Sequence, residues 1–161
     1  MIVLDKAGAD SRVSLAVERF RDVIDEARPL LREHWREIAI HQDIPLDPAD
    51  DYYEKMDAAG ALRIFTARVD GALAGYAVFV VRPRHAHYRI AWAVNDIVWV
   101  RPDCRNAGVG RALREFWDAE LAALGVAIVH VDTKIAHPAL RFLLKRGGYN
   151  HIGDVMEKRL V

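Results

Sequence analysis

From residue 21 to about residue 40, apolar side chains recur every third or fourth position, through Val23, Ile24, Ala27, Leu30, Leu31, Trp35 and Ile38. That spacing predicts an amphipathic helix, with Pro29 kinking or breaking it. Residues 14–20 alternate weakly and read as a first strand. Asp47-Pro48 opens a second, short helix through Tyr52, Tyr53 and Met56, because proline suits a first helical position, and Gly60 stops it. The period then changes. Residues 62–69 are strand-like, Asp70-Gly71 is a hairpin turn and residues 72–81 form the returning strand. A third apolar run, residues 90–100, is rich in Val, Ile and Trp and ends at Pro102, after a polar stretch at 83–88 that reads as a loop or strand end. The helical period returns over 110–124 and stops at Gly125. Residues 126–131 read as a buried strand, and His137-Pro138 starts a helix ended by Gly147-Gly148. Residues 149–160 are expected to form a last strand.

Strand–helix–strand units late in the chain imply a right-handed crossover and a parallel pair within a mixed sheet. A doubly wound parallel fold and a sandwich do not fit this order. No linker, repeat or low-complexity tract divides the chain, so residues 1–161 are expected to form one domain.

Lys plus Arg and Asp plus Glu both number 23, which leaves no net positive field to gather nucleic acid. The single cysteine, Cys104, excludes an internal disulfide. The amino terminus turns polar within a few residues, and no apolar run reaches the roughly 18 residues of a membrane span. The expectation is a cytoplasmic protein with neither membrane nor nucleic-acid partners.

The stretch that carries chemistry runs from Ile97 to Leu113. A strand ends at Pro102, a loop follows, and Gly108 and Gly110 bracket Val109 as a helix begins. Free N–H groups at a helix start, with the helix dipole behind them, suit a phosphate-bearing ligand. The two glycines let the main chain approach phosphate oxygens, and Arg105 and Arg111 flank them with charge. The plainer alternative is a glycine-bearing turn with arginines facing solvent. A dinucleotide fingerprint needs a third glycine where Leu113 stands, and a Walker loop needs Gly-Lys-Ser/Thr, which is missing.

The segment Arg105-Asn106-Ala107-Gly108-Val109-Gly110 resembles the Arg/Gln-x-x-Gly-x-Gly/Ala motif of the GNAT superfamily of N-acetyltransferases, and Val98 to Pro102 is similar to the strand before it. The element order from about Ser14 to Leu160 is also that family's, and Gly148-Tyr149 stands where Gly-Phe is common. The resemblance implies an α/β domain with a mixed, mostly antiparallel central sheet of six or seven strands, a splayed parallel pair and about four flanking helices. It implies acetyl-CoA as co-substrate and no metal. Strand residues Val98, Trp99 and Val100 would receive the pantetheine arm, through the main chain of Val98 and Val100. Amides of Arg105, Asn106, Ala107, Gly108, Val109, Gly110 and Arg111 would hold the pyrophosphate. The strands would splay near Val100 and Val131. Resembling proteins are commonly dimers, so a homodimer is expected.

Acetyl transfer to an amine needs a base for the ammonium proton and a proton for the leaving thiolate. Asp96 is the leading base: by alternation it shares a face with Val98 and Val100, among apolar neighbours that would raise its pKa, and some members of the family carry a catalytic glutamate there. The alternative is a carboxylate bonding the backbone at a strand bulge. The family's usual tyrosine falls at Leu144, which has no proton to donate, and its usual asparagine at His137. His137, Tyr149 or water would then protonate the thiolate. The acceptor is expected to be a small-molecule primary amine attacking directly in a ternary complex, with Tyr52, Tyr53 and His87 lining its pocket. A non-catalytic acyl-CoA-binding domain is the alternative, and a phosphate-binding α/β protein of another class is more remote. His85 and His87 lack a third metal ligand. His34 and His41 read as solvated residues sharing a helix face, Cys104 as a buried or incidental thiol, and the four tryptophans as mostly core.

Overall fold

The hairpin over Asp70-Gly71 fixes the register of the sheet's centre. Both residues have positive φ, 51° and 85°, the geometry that matches the twist of the flanking strands. In the computed structural model, which describes residues 2–4 and 13–160, the chain forms strands β1 (Ile2–Leu4) and β2 (Val13–Glu18) and then helices α1 (Phe20–Ile38) and α2 (Asp50–Ala58). Strands β3 (Leu62–Val69), β4 (Ala72–Arg82) and β5 (Ala91–Val100) follow, then α3 (Val109–Ala123), β6 (Val126–His130) and α4 (Pro138–Arg146). The six strands lie in sequence order in one sheet. Neighbours are antiparallel up to β5, and β5 and β6 are parallel, joined by the α3 crossover.

Both faces of the sheet are covered, which explains why β4 is a nearly continuous apolar run. Phe65, Ala77 and Phe79 pack with Leu113, Phe116, Trp117 and Leu121 of α3. On the opposite face Ile64, Tyr76, Val78 and Trp99 pack with Phe20, Val23 and Ala27 of α1. Pro29 neither breaks nor ends α1. It sits on the exposed side, where solvent can satisfy the carbonyl that loses its N–H partner. Trp99 and Trp117 are core, whereas Trp35 and Trp92 are only half-buried.

The expected last strand is absent: residues 149–160 adopt no regular structure. Their apolar residues, Ile152, Val155, Met156 and Leu160, do not alternate, Gly153 interrupts them, and all four are exposed. Ion pairs hold this tail instead. Arg159 meets Asp43 at 2.6 Å and Glu157 meets His41, both in the α1–α2 connection.

Truncation after Asn150 is therefore expected to lower unfolding free energy by less than about 1 kcal/mol in urea titrations, the worth of exposed ion pairs. A loss of several kcal/mol would mean that the tail carries a strand's share of the core.

Candidate active site

The site begins where the parallel pair parts. Strand β5 is matched to β6 only from Ala91 to Val94, yet it continues to Val100. At the fork, the Asn95 side-chain oxygen accepts the Asp132 N–H at 2.6 Å, so a side chain closes the ladder where main-chain pairing stops. On the other edge, β5 pairs Asn95 with Phe79 and Ile97 with Val78. Asp96 is the extra residue of a β-bulge.

That bulge overturns the simple alternation. Val98 and Val100 pack in the α3-side core, while Ile97 and Trp99 face α1. Asp96 turns toward α2, where its Oδ2 accepts the Tyr53 hydroxyl at 2.7 Å. It does not share a face with Val98 and Val100, and it is exposed rather than wrapped in apolar neighbours. Burial and the Asp96 carboxylate both push the Tyr53 phenol up, so it remains a donor.

Main-chain direction is unaffected by the change of side-chain face. The Arg101 N–H reaches the Ala74 carbonyl on β4 at 2.8 Å. Alternate residues point the other way, so the N–H and C=O groups of Val98 and Val100 face the edge that β6 has left. The Val100 carbonyl accepts Arg105 Nε at 2.8 Å.

Beyond a short turn at Pro102–Cys104, Asn106 and Gly108 have φ of 65° and 84°, and this left-handed pair swings the chain into α3. No side chain caps α3, and its first internal bond runs from the Ala112 N–H to the Gly108 carbonyl. The N–H groups of Val109, Gly110 and Arg111 thus have no helical partner. A Cβ on Gly108 would meet nothing within 4 Å, and one on Gly110 would make only ordinary contacts with Leu143 and Val100. Internal packing does not require the second glycine, and the space before the amides is open. This combination fits a pyrophosphate at the helix start with an extended arm along β5.

Sequence reasoning missed Glu37, on the last turn of α1. Its carboxylate takes Arg105 Nη1 and Nη2 at 2.8 and 2.6 Å and the Trp99 indole N–H at 2.9 Å. The Arg105 guanidinium beside it, aided by the indole, holds the carboxyl down to about 2. Arg105 therefore clamps α1 to β5 with its side chain, and Arg111 pairs along α3 with Glu115 at 2.8 Å. Next to this cluster His34 is 3% exposed, a correction to the solvated residue expected. It stacks on Trp99, its Nδ1 meets the Tyr76 hydroxyl at 2.9 Å, and burial pushes its imidazole down to about 4. His41 lies beyond the end of α1.

The model of the acetyltransferase (GNAT) family matches residues 24–149. The chain belongs to that family. It is an acetyltransferase of the GNAT type, and its folded relatives agree in architecture. A ribosomal-protein-alanine N-acetyltransferase from Brucella melitensis biovar Abortus 2308 superposes with a TM-score of 0.71 at 22% identity, over 92% of this chain and 99% of that one. An aminoglycoside acetyltransferase from an uncultured soil metagenomic sample, in complex with sisomicin, gives 0.74 at 11% identity over 92% and 95%. AAC(6')-Iy, in complex with the bisubstrate analog CoA-S-monomethyl-acetylneamine, gives 0.71 at 18% identity over 92% and 98%. No curated protein sequence matches the chain.

Against the GNAT pattern, three residues need placing. Leu144 is buried in the α3-side core at 5% exposure. Tyr149 also packs against α3: its hydroxyl donates to Asp118 at 2.5 Å and accepts from the Trp117 indole at 3.1 Å. Burial and the Asp118 carboxylate push that phenol up, and Trp117 lies roughly 13 Å along α3 from Gly108. Tyr149, expected as a candidate proton donor, thus lies on the α3 side with its hydroxyl already engaged. His137, half-buried at the start of α4, has Nδ1 3.9 Å from Glu37 Oε1. Of the residues expected to line the acceptor pocket, Tyr53 borders a cavity between α1 and the sheet, Tyr52 is 56% exposed, and His87 meets His85 at a tilt and Tyr88 edge-on. Cys104 is buried. Among the described residues no metal-binding cluster occurs, and no helix is long and apolar enough to cross a membrane.

Two outcomes follow from this geometry. Gly108→Ala and Gly60→Ala both place a methyl in open space at positive φ, so each is expected to cost about 1 kcal/mol of stability. Only Gly108→Ala should weaken coenzyme A binding, by about tenfold in calorimetry, since a Cβ there occupies the phosphate approach. The Glu37 carboxyl titrates lower in the folded protein than in the unfolded chain, so its stabilisation is complete above about pH 4.5 and lost as pH falls toward 2. Glu37→Gln is expected to cost about 1–2 kcal/mol at pH 7, after allowing for solvent screening, and to flatten that acid limb in urea titrations.

Proposed function

We propose that the protein moves an acetyl group from acetyl-CoA to the primary amine of a small molecule, by direct attack in a ternary complex. The observation that carries this reading is the bulge at Asp96. It turns a carboxylate to the α1–α2 side of β5, while the same strand's open edge faces the α3 loop. A ligand laid along Val98 and Val100, with its pyrophosphate on the amides from Arg105 to Arg111, would bring an acyl end to the fork at Asn95. An acceptor entering from the α1–α2 side would meet it there.

Acetyl-CoA supplies a thioester-activated acetyl group, and the protein's own residues do the rest. Tyr53 fixes Oδ2 of Asp96, and Oδ1 takes the proton from the attacking nitrogen. N–H groups on the β5 edge beyond the fork would suit the developing negative charge of the reacting carbonyl. As the carbon–sulfur bond breaks, the thiolate takes a proton from His137 or from solvent. Glu37 holds Arg105 and Trp99 beneath, and its two oxygens are taken up by the guanidinium and the indole, so it serves as a brace. Ribosomal-protein and aminoglycoside acetyltransferases among the structural relatives support amine acetylation as the reaction. The buried, unpaired Cys104 fits a cytoplasmic setting.

Asp96→Asn is expected to lower kcat about 100-fold, the usual worth of a positioned base, with coenzyme A affinity held within twofold. Thiol release and calorimetry measure the two. An unchanged kcat would remove Asp96 from the mechanism.

A further inference from the structure

We infer that the acceptor is a primary amine carried on an apolar body about the size of one aromatic ring, seated between α1 and the sheet. The inference rests on the N-acetyltransferase reading above and adds the class of substrate. A cavity of about 200 Å³ lies there, walled by Val23 and Ala27 of α1, by Ile64, Val78 and Ile97 of the sheet, and by Leu46 of the α1–α2 connection. A dry apolar cavity of roughly 150 Å³ accommodates benzene, so this one takes a single ring with a short stem.

Position and charge give the rest. Tyr53 is in the cavity wall, and its hydroxyl is bonded to Asp96, so an apolar group held there keeps its stem beside the proposed base. The charged residues lining the cavity are Asp47 and Asp50, both acidic. Asp50 is ion-paired to Arg28 through Oδ2, while its buried Oδ1 has no hydrogen-bond partner. An ammonium or another donor complements that lining and an anionic acceptor does not. A polyhydroxylated amino sugar would bury most of its hydroxyls against aliphatic walls, because Asp47, Asp50, Tyr53 and Tyr76 are the polar residues lining the cavity. A second cavity, of about 360 Å³, shares Leu31, Leu46, Asp47 and Ile97 with the first and opens past the exposed apolar residues Ile40 and Ile44. Its lining is mixed, with His41, Lys134 and Glu157 beside those apolar side chains.

The test uses the full-length protein with 2-phenylethylamine, ethylamine, spermidine and neamine. Binding in the presence of coenzyme A is read by calorimetry, and turnover with acetyl-CoA by thiol release. Phenylethylamine should bind and should exceed ethylamine in kcat/KM by about 100-fold, the discrimination that burying a ring provides. Ala27→Phe, which fills the cavity, should reduce that ratio and weaken phenylethylamine binding at least about tenfold. Ile24→Trp, at a half-buried wall position, serves if Ala27→Phe does not fold by circular dichroism. Preference for spermidine or neamine, or a ratio indifferent to a folded cavity variant, overturns the inference. So does absence of phenylethylamine binding, whatever else is acetylated. Phenylethylamine binding that the cavity variants weaken, with no thiol released from any amine, upholds the occupant and overturns the transferase reading instead.

Discussion

A β-strand that loses its neighbour must find partners for its main chain, and much of this molecule is arranged around one such loss. Strand β5 keeps β6 for only four register positions and then runs on to Val100 with that edge unpaired, while β4 holds the other edge. A bare edge inside a sheet invites water or another extended chain. Here the departure is built in: Asn95 stitches the fork through the Asp132 N–H, and Arg105 caps the far end by bonding the Val100 carbonyl. Between those points the edge keeps its strand conformation without a strand to pair with. The coenzyme's extended arm is the occupant we propose for that edge, since it can pair with it as a strand would.

The same fork organises the chemistry on the opposite face. The bulge that frees Asp96 also reverses the side-chain faces, sending Ile97 and Trp99 toward α1 and Val98 and Val100 toward α3. Trp99 then becomes the floor against which Glu37, His34 and Arg105 assemble. This cluster ties α1, β5 and the loop before α3 together, so the two sides of the candidate site are positioned by a shared set of contacts. Glu37 is ionised in that unit because Arg105 grips both its oxygens, which makes it a brace and leaves proton transfer to other groups.

Much of this was legible in the residues. Glycine and proline marked nearly every boundary: Gly60, Gly71, Gly108, Gly125 and Gly148 all take the positive φ that ends or turns an element. Strands buried on both faces read as apolar runs, and the Gly108–Gly110 pair stood out because a strand and a helix flanked it. The illegible parts depended on contacts distant in sequence. One inserted residue at Asp96 changes the face of everything after it, and no two-residue pattern reveals it. Glu37 looks like any solvent-facing helical carboxylate until Arg105, 68 positions later, reaches it. His34 is apolar-facing only because Tyr76 and Trp99 lie under it. The tail after Tyr149 is rich in apolar residues that do not alternate, and apolar content without alternation does not make a strand.

In the proposed complex, main-chain amides on β5 and at the start of α3 grip the coenzyme. Residue-resolved amide hydrogen exchange, with and without coenzyme A, tests it most directly. Exchange at Val98, Val109, Gly110 and Arg111 should slow by at least about tenfold on binding, as free N–H groups gain acceptors. Unchanged exchange at these four amides, with saturating coenzyme bound and protection appearing elsewhere, would contradict the account.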